Sequence, residues 1–319
     1  MKTDKELTIK NICILGPNKR FLGASISAIP FYRSIKDLFP GSNVTLISPR
    51  KESEMFYDLG LINELIINDI NGGIRSFKKI LAEIKSRKFD VLFAMRRKSE
   101  RDWLTSLFSG VKTRIGFKRK WSLFVYRYCY KYDKNTYRGT NFLKLLKPFE
   151  QAAVKYSTIY PGYNCSTPPA VWLIPCGAKE NRLWPVESYI ELSKRIIMEQ
   201  GCNITFILGP HEKNSRSRIE SGLLEYKDRI SFLIDEPVLA LLGEVNNCML
   251  AVSNDCGPAH IPQVSGRKTI VLFPKDANVF EWINRDAGGV EIISEKDTIE
   301  GITVDQVLGR VKEELDKGK

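Results

Sequence analysis

The chain has 319 residues, 43% hydrophobic and 27% charged, which suffices for one large core or two of ordinary size and argues against disorder. No apolar run approaches the ~20 residues of a membrane span, and the start M-K-T-D-K-E-L lacks the apolar stretch of a secretory signal, so a cytoplasmic protein is expected. Seven scattered cysteines without C-x-x-C spacing and only two histidines, His211 and His260, point away from a disulfide framework and from a histidine-based metal site. The net charge of +12 is concentrated. Between Arg87 and Lys147 there are 17 Lys and Arg against 4 Asp and Glu, and the remainder is nearly neutral. Such a segment fits nucleic acid, an anionic membrane surface or an acidic substrate.

In chain order, apolar runs predict strands over 11–15, 43–47, 64–67 and 89–94. Helical periodicity lies between them, over 24–38, 52–58 and 74–86, and this alternation indicates a parallel sheet with helices on both faces. The chain then turns basic, in M-R-R-K-S-E-R-D-W and T-R-I-G-F-K-R-K. Because Arg96, Arg97 and Lys98 follow a strand, they are expected at the ligand edge of the sheet. Residues 121–137 interleave Tyr126, Tyr128, Tyr130, Tyr132 and Tyr137 with Arg127, Lys131 and Lys134. Such mixing suits nucleic acid, although no RRM or KH signature accompanies it. A helix over 139–149 precedes a Pro/Gly/Ser-rich stretch, 160–169, and the domains are drawn as 1–165 and 166–319.

The second half repeats the pattern. Strand 171–174 leads into P-C-G-A-K-E-N-R-L-W-P, helix 186–200 ends at Gly201, strand 204–208 leads into G-P-H-E-K, and helix 215–225, strand 230–234 and helix 238–246 follow. The stretch from Leu250 to Trp282 reads as strand, turn, short helix and strand. Asn254 and Asp255 are placed to cap that helix, Gly257 tolerates positive φ and Pro258 suits a first helical turn. The free N–H groups there would form an anion site at a strand's carboxyl end, with Asp255, Cys256, Gly257 and His260 around it. A last strand is predicted over 290–293 and a last helix over 304–317, with packing of that helix back on the first domain as an option. No G-x-G-x-x-G follows the first strand, which lowers a dehydrogenase reading.

N-D-C-G-P-A-H followed by V-L-F-P and a nearby E-W resembles the family 9 glycosyltransferases, the heptosyltransferases of lipopolysaccharide inner-core assembly. The resemblance implies an α/β fold of GT-B architecture, two Rossmann-like domains with parallel sheets facing a central cleft. It implies an inverting transfer of heptose or a related sugar from an ADP-sugar to an anionic glycan or glycolipid acceptor, with peripheral association at the inner membrane surface. The donor would be met by Gly177 and Ala178 at small positions, by Lys179 and by Arg182, whose planar fork binds phosphate two-pronged where the family has Lys. Glu212 matches an acid that accepts from the ribose, Glu236 is a weaker candidate near the base, and Asp255, Cys256, Gly257 and His260 complete the donor set. Cys256 stands where Thr is usual. Trp184 reads as a packing residue. No D-x-D pair is present, so neither metal nor other cofactor is expected; cations and N–H groups would stabilise the departing diphosphate.

The acceptor side departs from the family. Where a catalytic Asp is usual, the spacing places Ala24, and the segment after the fourth strand is A-M-R-R-K. Arg96, Arg97 and Lys98 are the expected acceptor contacts, and Asp102 and Glu100 the replacement candidates for the base. Two other readings stand beside transfer: a catalytically silent sugar-nucleotide-binding homologue, and a basic nucleic-acid-binding protein favoured by charge alone.

Overall fold

The computed structural model describes residues 9–17, 22–69, 72–149, 169–177, 179–212 and 214–317. The chain divides into two compact units, Met1–Lys155 and Tyr156–Lys319. The domain boundary expected at 165 lies outside the described residues.

The first unit carries β1 (Asn11–Leu15), β2 (Asn43–Ser48), β3 (Glu64–Ile67), β4 (Val91–Ala94), β5 (Thr113–Phe117) and β6 (Tyr128–Tyr130). They form one parallel sheet in the order β3-β2-β1-β4-β5-β6. β1 and β4 are almost wholly buried, the condition of central parallel strands covered on both faces, and their near-continuous apolar sequence follows from it. The strand order reverses between β1 and β4, so the loops after these two strands flank the switch point where open α/β sheets take ligands. The helix expected over 24–38 is two helices, Leu22–Ile26 and Ile29–Leu38. The break precedes Pro30, which has no N–H to give and is accommodated in the first turn of the second helix.

The second unit carries β7 (Ala170–Ile174), β8 (Asn203–Leu208), β9 (Ile230–Ile234), β10 (Cys248–Asn254), β11 (Lys268–Phe273) and β12 (Gly289–Ile293). All are parallel, in the order β12-β11-β10-β7-β8-β9, and the order reverses between β7 and β10. The Val186–Gln200 helix ends at Gly201, whose φ of 65° is the left-handed cap that glycine adopts without a Cβ penalty. The Val304–Asp316 helix opens on a reciprocal capping box between Thr303 and Gln306. It packs on Val186–Gln200 and over β10 and β11, burying Val307, Leu308 and Val311 in the core with Val171, Leu173 and Phe206. Among the described residues no helix is long and apolar enough to cross a membrane.

Candidate functional site

The loops after β7, β8 and β10 leave adjacent strands at the second switch point, so their residues are neighbours although they lie tens of positions apart in sequence. Asn254, fully buried as the last residue of β10, fixes two of them. Its Nδ2 donates to the Pro175 carbonyl at 3.0 Å, and its Oδ1 accepts from the Tyr189 hydroxyl at 2.9 Å and the Trp184 N–H at 3.3 Å. The cap role expected for Asn254 and Asp255 therefore gives way to bonds across the sheet. The short helix begins only at His260, with no side-chain cap, because the turn through Gly257 and Pro258 is closed by the His260 N–H to Gly257 carbonyl bond at 3.1 Å. Trp184 is 2% exposed and donates its indole N–H to the Ile302 carbonyl at 2.8 Å, which is the packing role expected of it.

Two charged contacts then tie the loops together. The Arg182 guanidinium donates to the Asp255 carboxylate, joining the β7 and β10 loops. Burial pushes the Asp255 carboxyl above its ordinary range, and Arg182 and Lys179 pull it back. Glu212 accepts from the Gly177 N–H at 3.2 Å through Oε1, joining the β8 and β7 loops. Its other oxygen lies where Gly209 leaves room, since a Cβ at Gly209 would stand 2.8 Å from Oε2. Lys179 is exposed beside this cluster. One guanidinium, one ammonium and a carboxylate at a strand-end crevice form a set suited to an anionic ligand that also bears hydroxyls.

The remaining second-unit residues are placed as follows. Ala178 lies outside the described residues. Glu236 is exposed after β9, beyond Asp235, whose φ of 55° marks a tight left-handed turn. Gly257 is half-buried. Cys256 keeps its thiol 3.4 Å from the Ser253 hydroxyl and is pushed up to about 12 by burial, so it is a neutral thiol and no nucleophile. His260 is 3% exposed with its ring 5.6 Å from that of Trp282, which makes it a packed residue behind the loop. Sequence reasoning missed Asn254 as the joint of the site and Gly209 as the space for Glu212. The signal for the first was an amide at the end of an otherwise apolar strand.

In the first unit, Arg96 and Asp102 form a two-pronged pair six residues apart, with Asp102 2% exposed and its backbone N–H bonded to Ser99 Oγ at 3.1 Å. Burial raises the Asp102 carboxyl, opposed by Arg96. Both carboxylate oxygens are therefore occupied, and the geometry makes Asp102 the residue that orients Arg96 in place of the free base expected of it. Glu100 is open, its side chain 85% exposed and 4.0 Å from Arg119. Arg97 lies over the Tyr132 ring at 4.8 Å, and Lys98 is exposed. Ala24 is 1% exposed in the first helix.

Known proteins agree with this architecture. A candidate glycosyltransferase of Haemophilus influenzae is 21% identical over 279 residues, 79% of this chain and 80% of that one. A Veillonella parvula glycosyltransferase of family 9 superposes with a TM-score of 0.72 at 17% identity, covering 98% of this chain and 99% of the other. Escherichia coli heptosyltransferase WaaC, solved with ADP, superposes at 0.71 with 13% identity over 95% of this chain and 99% of its own. The ADP-heptose lipopolysaccharide heptosyltransferase II of the same organism gives 0.69 at 17% identity over 97% and 99%. The fold class is thus the α/β GT-B type, built on two parallel six-stranded sheets. The profile of glycosyltransferase family 9 (heptosyltransferase) matches residues 77–281, and the chain belongs to that family.

Proposed function

We propose that this glycosyltransferase moves a heptose or a related sugar from an ADP-like nucleotide sugar to an anionic acceptor of the lipopolysaccharide-core type, with inversion at the anomeric carbon. The observation that carries the reading is the convergence of Arg182, Glu212 and the Gly177 N–H from separate strand ends, held by Asn254. In this reading Arg182 exchanges Asp255 for the donor diphosphate, Lys179 adds a second cation, and the Glu212 carboxylate accepts from a ribose hydroxyl. Glu236 stands near the base, and N–H groups at Cys256 and Gly257 meet phosphate oxygens. The acceptor hydroxyl attacks the anomeric carbon as the bond to the diphosphate breaks, and its proton passes to a carboxylate. The products are the glycoside and ADP. Glu100 is the accessible carboxylate of the first-unit loop and is assigned that role, with Arg96, Arg97 and Lys98 meeting the acceptor's anionic groups. The negative charge that develops on the leaving group falls on Arg182 and Lys179 without a metal ion. The six cysteines of the described residues are free thiols, which suits work in the cytoplasm.

Ala24 favours one other reading, a homologue that binds the nucleotide sugar without transferring it. Incubating the chain with ADP-heptose and a lipopolysaccharide-core acceptor separates the two. Release of ADP that requires acceptor and survives a chelator supports transfer. Tight ADP binding with no turnover, restored in part by Ala24→Asp, supports the silent homologue.

A further inference from the structure

Between Asp102 and Asp133 the sequence has no acidic residue and seven basic ones. Within this run, the connection from β5 to β6 carries three of the most exposed large apolar side chains of the described residues: Trp121 at 61%, Leu123 at 77% and Phe124 at 73%. The structure shows how they are kept in water. Ser122, 2% exposed, accepts from the Arg119 N–H through Oγ at 3.0 Å and donates back to the Arg119 carbonyl at 2.7 Å. Its own carbonyl receives the N–H groups of Val125 at 3.0 Å and Tyr126 at 2.8 Å. Val125 and Tyr126 are buried below, and the Tyr126 ring occupies the space above Gly116, where a Cβ would stand 2.6 Å from it. The turn is therefore anchored at its base while its tip projects. Trp121 also takes a φ of 65°, a left-handed conformation that a bulky residue rarely adopts, and such outliers persist where the surrounding contacts enforce them.

Charge surrounds the tip. Lys118, Lys120 and Arg127 are exposed beside it, with the Lys120 ammonium 5.6 Å from the Trp121 ring centre and the Arg127 guanidinium 5.7 Å from that of Tyr128. Two occupants fit this pattern poorly. A second copy meeting the tip by two-fold symmetry would set lysine against lysine. The three side chains also offer roughly 400 Å², about half of what one partner contributes to a stable protein interface. A bilayer surface with anionic headgroups meets both requirements, because acyl chains take the aromatic and aliphatic tip while phosphates take the cations.

We propose that the turn through Trp121, Leu123 and Phe124 is a membrane-docking element that inserts into the headgroup region of an anionic phospholipid bilayer. This goes beyond the donor and acceptor assignments and does not depend on them. The test is sedimentation of the full chain with vesicles of phosphatidylcholine alone and of phosphatidylcholine mixed with phosphatidylglycerol. Wild type should partition onto the mixed vesicles, at least tenfold less onto phosphatidylcholine, and less at high salt. Replacing Leu123→Ser and Phe124→Ser together should lower partitioning by about a hundredfold, with melting temperature and ADP affinity unchanged. Lys118→Ser and Lys120→Ser should each cost about fivefold. Wild type that ignores the mixed vesicles, or a double-serine variant that binds them as wild type does, would overturn the proposal. So would a patch that serves another occupant, shown by wild-type self-association or RNA binding that the double-serine variant loses.

Discussion

The two units carry similar sheets but use their charged residues differently. In the second, the charged contacts run between loops of different strands: Arg182 to Asp255 spans β7 and β10, and Glu212 to Gly177 spans β8 and β7. In the first, the buried pair is local, Arg96 to Asp102, within one loop and the helix it enters. Contacts between separate elements hold several groups around one point, which a site requires. A local pair stiffens its own segment and leaves neighbouring cations, such as Lys98, to meet whatever approaches.

The largest expected effect tests the structural side of this contrast. Asp102→Asn leaves the Arg96 guanidinium without its carboxylate and should destabilise the first unit by about 3 kcal/mol, the lower end for a broken buried pair because Arg96 keeps some access to water. Chemical denaturation measures it; a loss well under 1 kcal/mol would show that the pair does not hold the segment. Glu100→Gln, at an exposed position, should leave stability alone and lower turnover by about 10²-fold, the scale of a general base. Unchanged turnover would remove Glu100 from the reaction.

Smaller effects probe the interlocking loops. Gly209 has an ordinary φ, so Gly209→Ala should fold, yet its Cβ would displace the Glu212 carboxylate and loosen its bond to Gly177. ADP affinity should fall by about tenfold, the scale of one hydrogen bond to a charged group, with little change in melting temperature. An affinity equal to wild type would mean that Glu212 does not position the site. The smallest effect concerns the support behind it. Lys312 and Arg195 hold the Glu199 carboxyl below its ordinary range, fastening the last helix to Val186–Gln200. A lowered folded-state pKa contributes stability above the unfolded value that is lost as pH falls through the folded one. Glu199→Gln should therefore flatten the acid side of the melting-temperature profile slightly and leave the neutral region nearly unchanged.

Most of the fold was legible because buried parallel strands announce themselves as apolar runs. β3 and β9 fall where the sequence places them, as does the Val186–Gln200 helix with its Gly201 cap. β5 and β6 were not legible. Thr113–Phe117 contains Arg114, and Tyr128–Tyr130 is an edge strand of three residues inside a basic, aromatic stretch, so pairing with a neighbour decides their structure. At the site, residue types could be read from the strand-end loops, but their partners could not. Asp255 as the mate of Arg182, and Asp102 as the mate of Arg96, depend on distances that only the packed sheets create.

The central claim is that the interlocked loops of the second unit bind a nucleoside diphosphate. Calorimetric titration of the full chain with ADP, set beside Arg182→Ala, tests it most directly. Removing one charged phosphate contact costs about 1.5–3 kcal/mol, so the variant should bind roughly tenfold more weakly or worse, with its fold intact by circular dichroism. Wild type that gives no heat with ADP, or an Arg182→Ala variant that binds as tightly as wild type, would contradict the account.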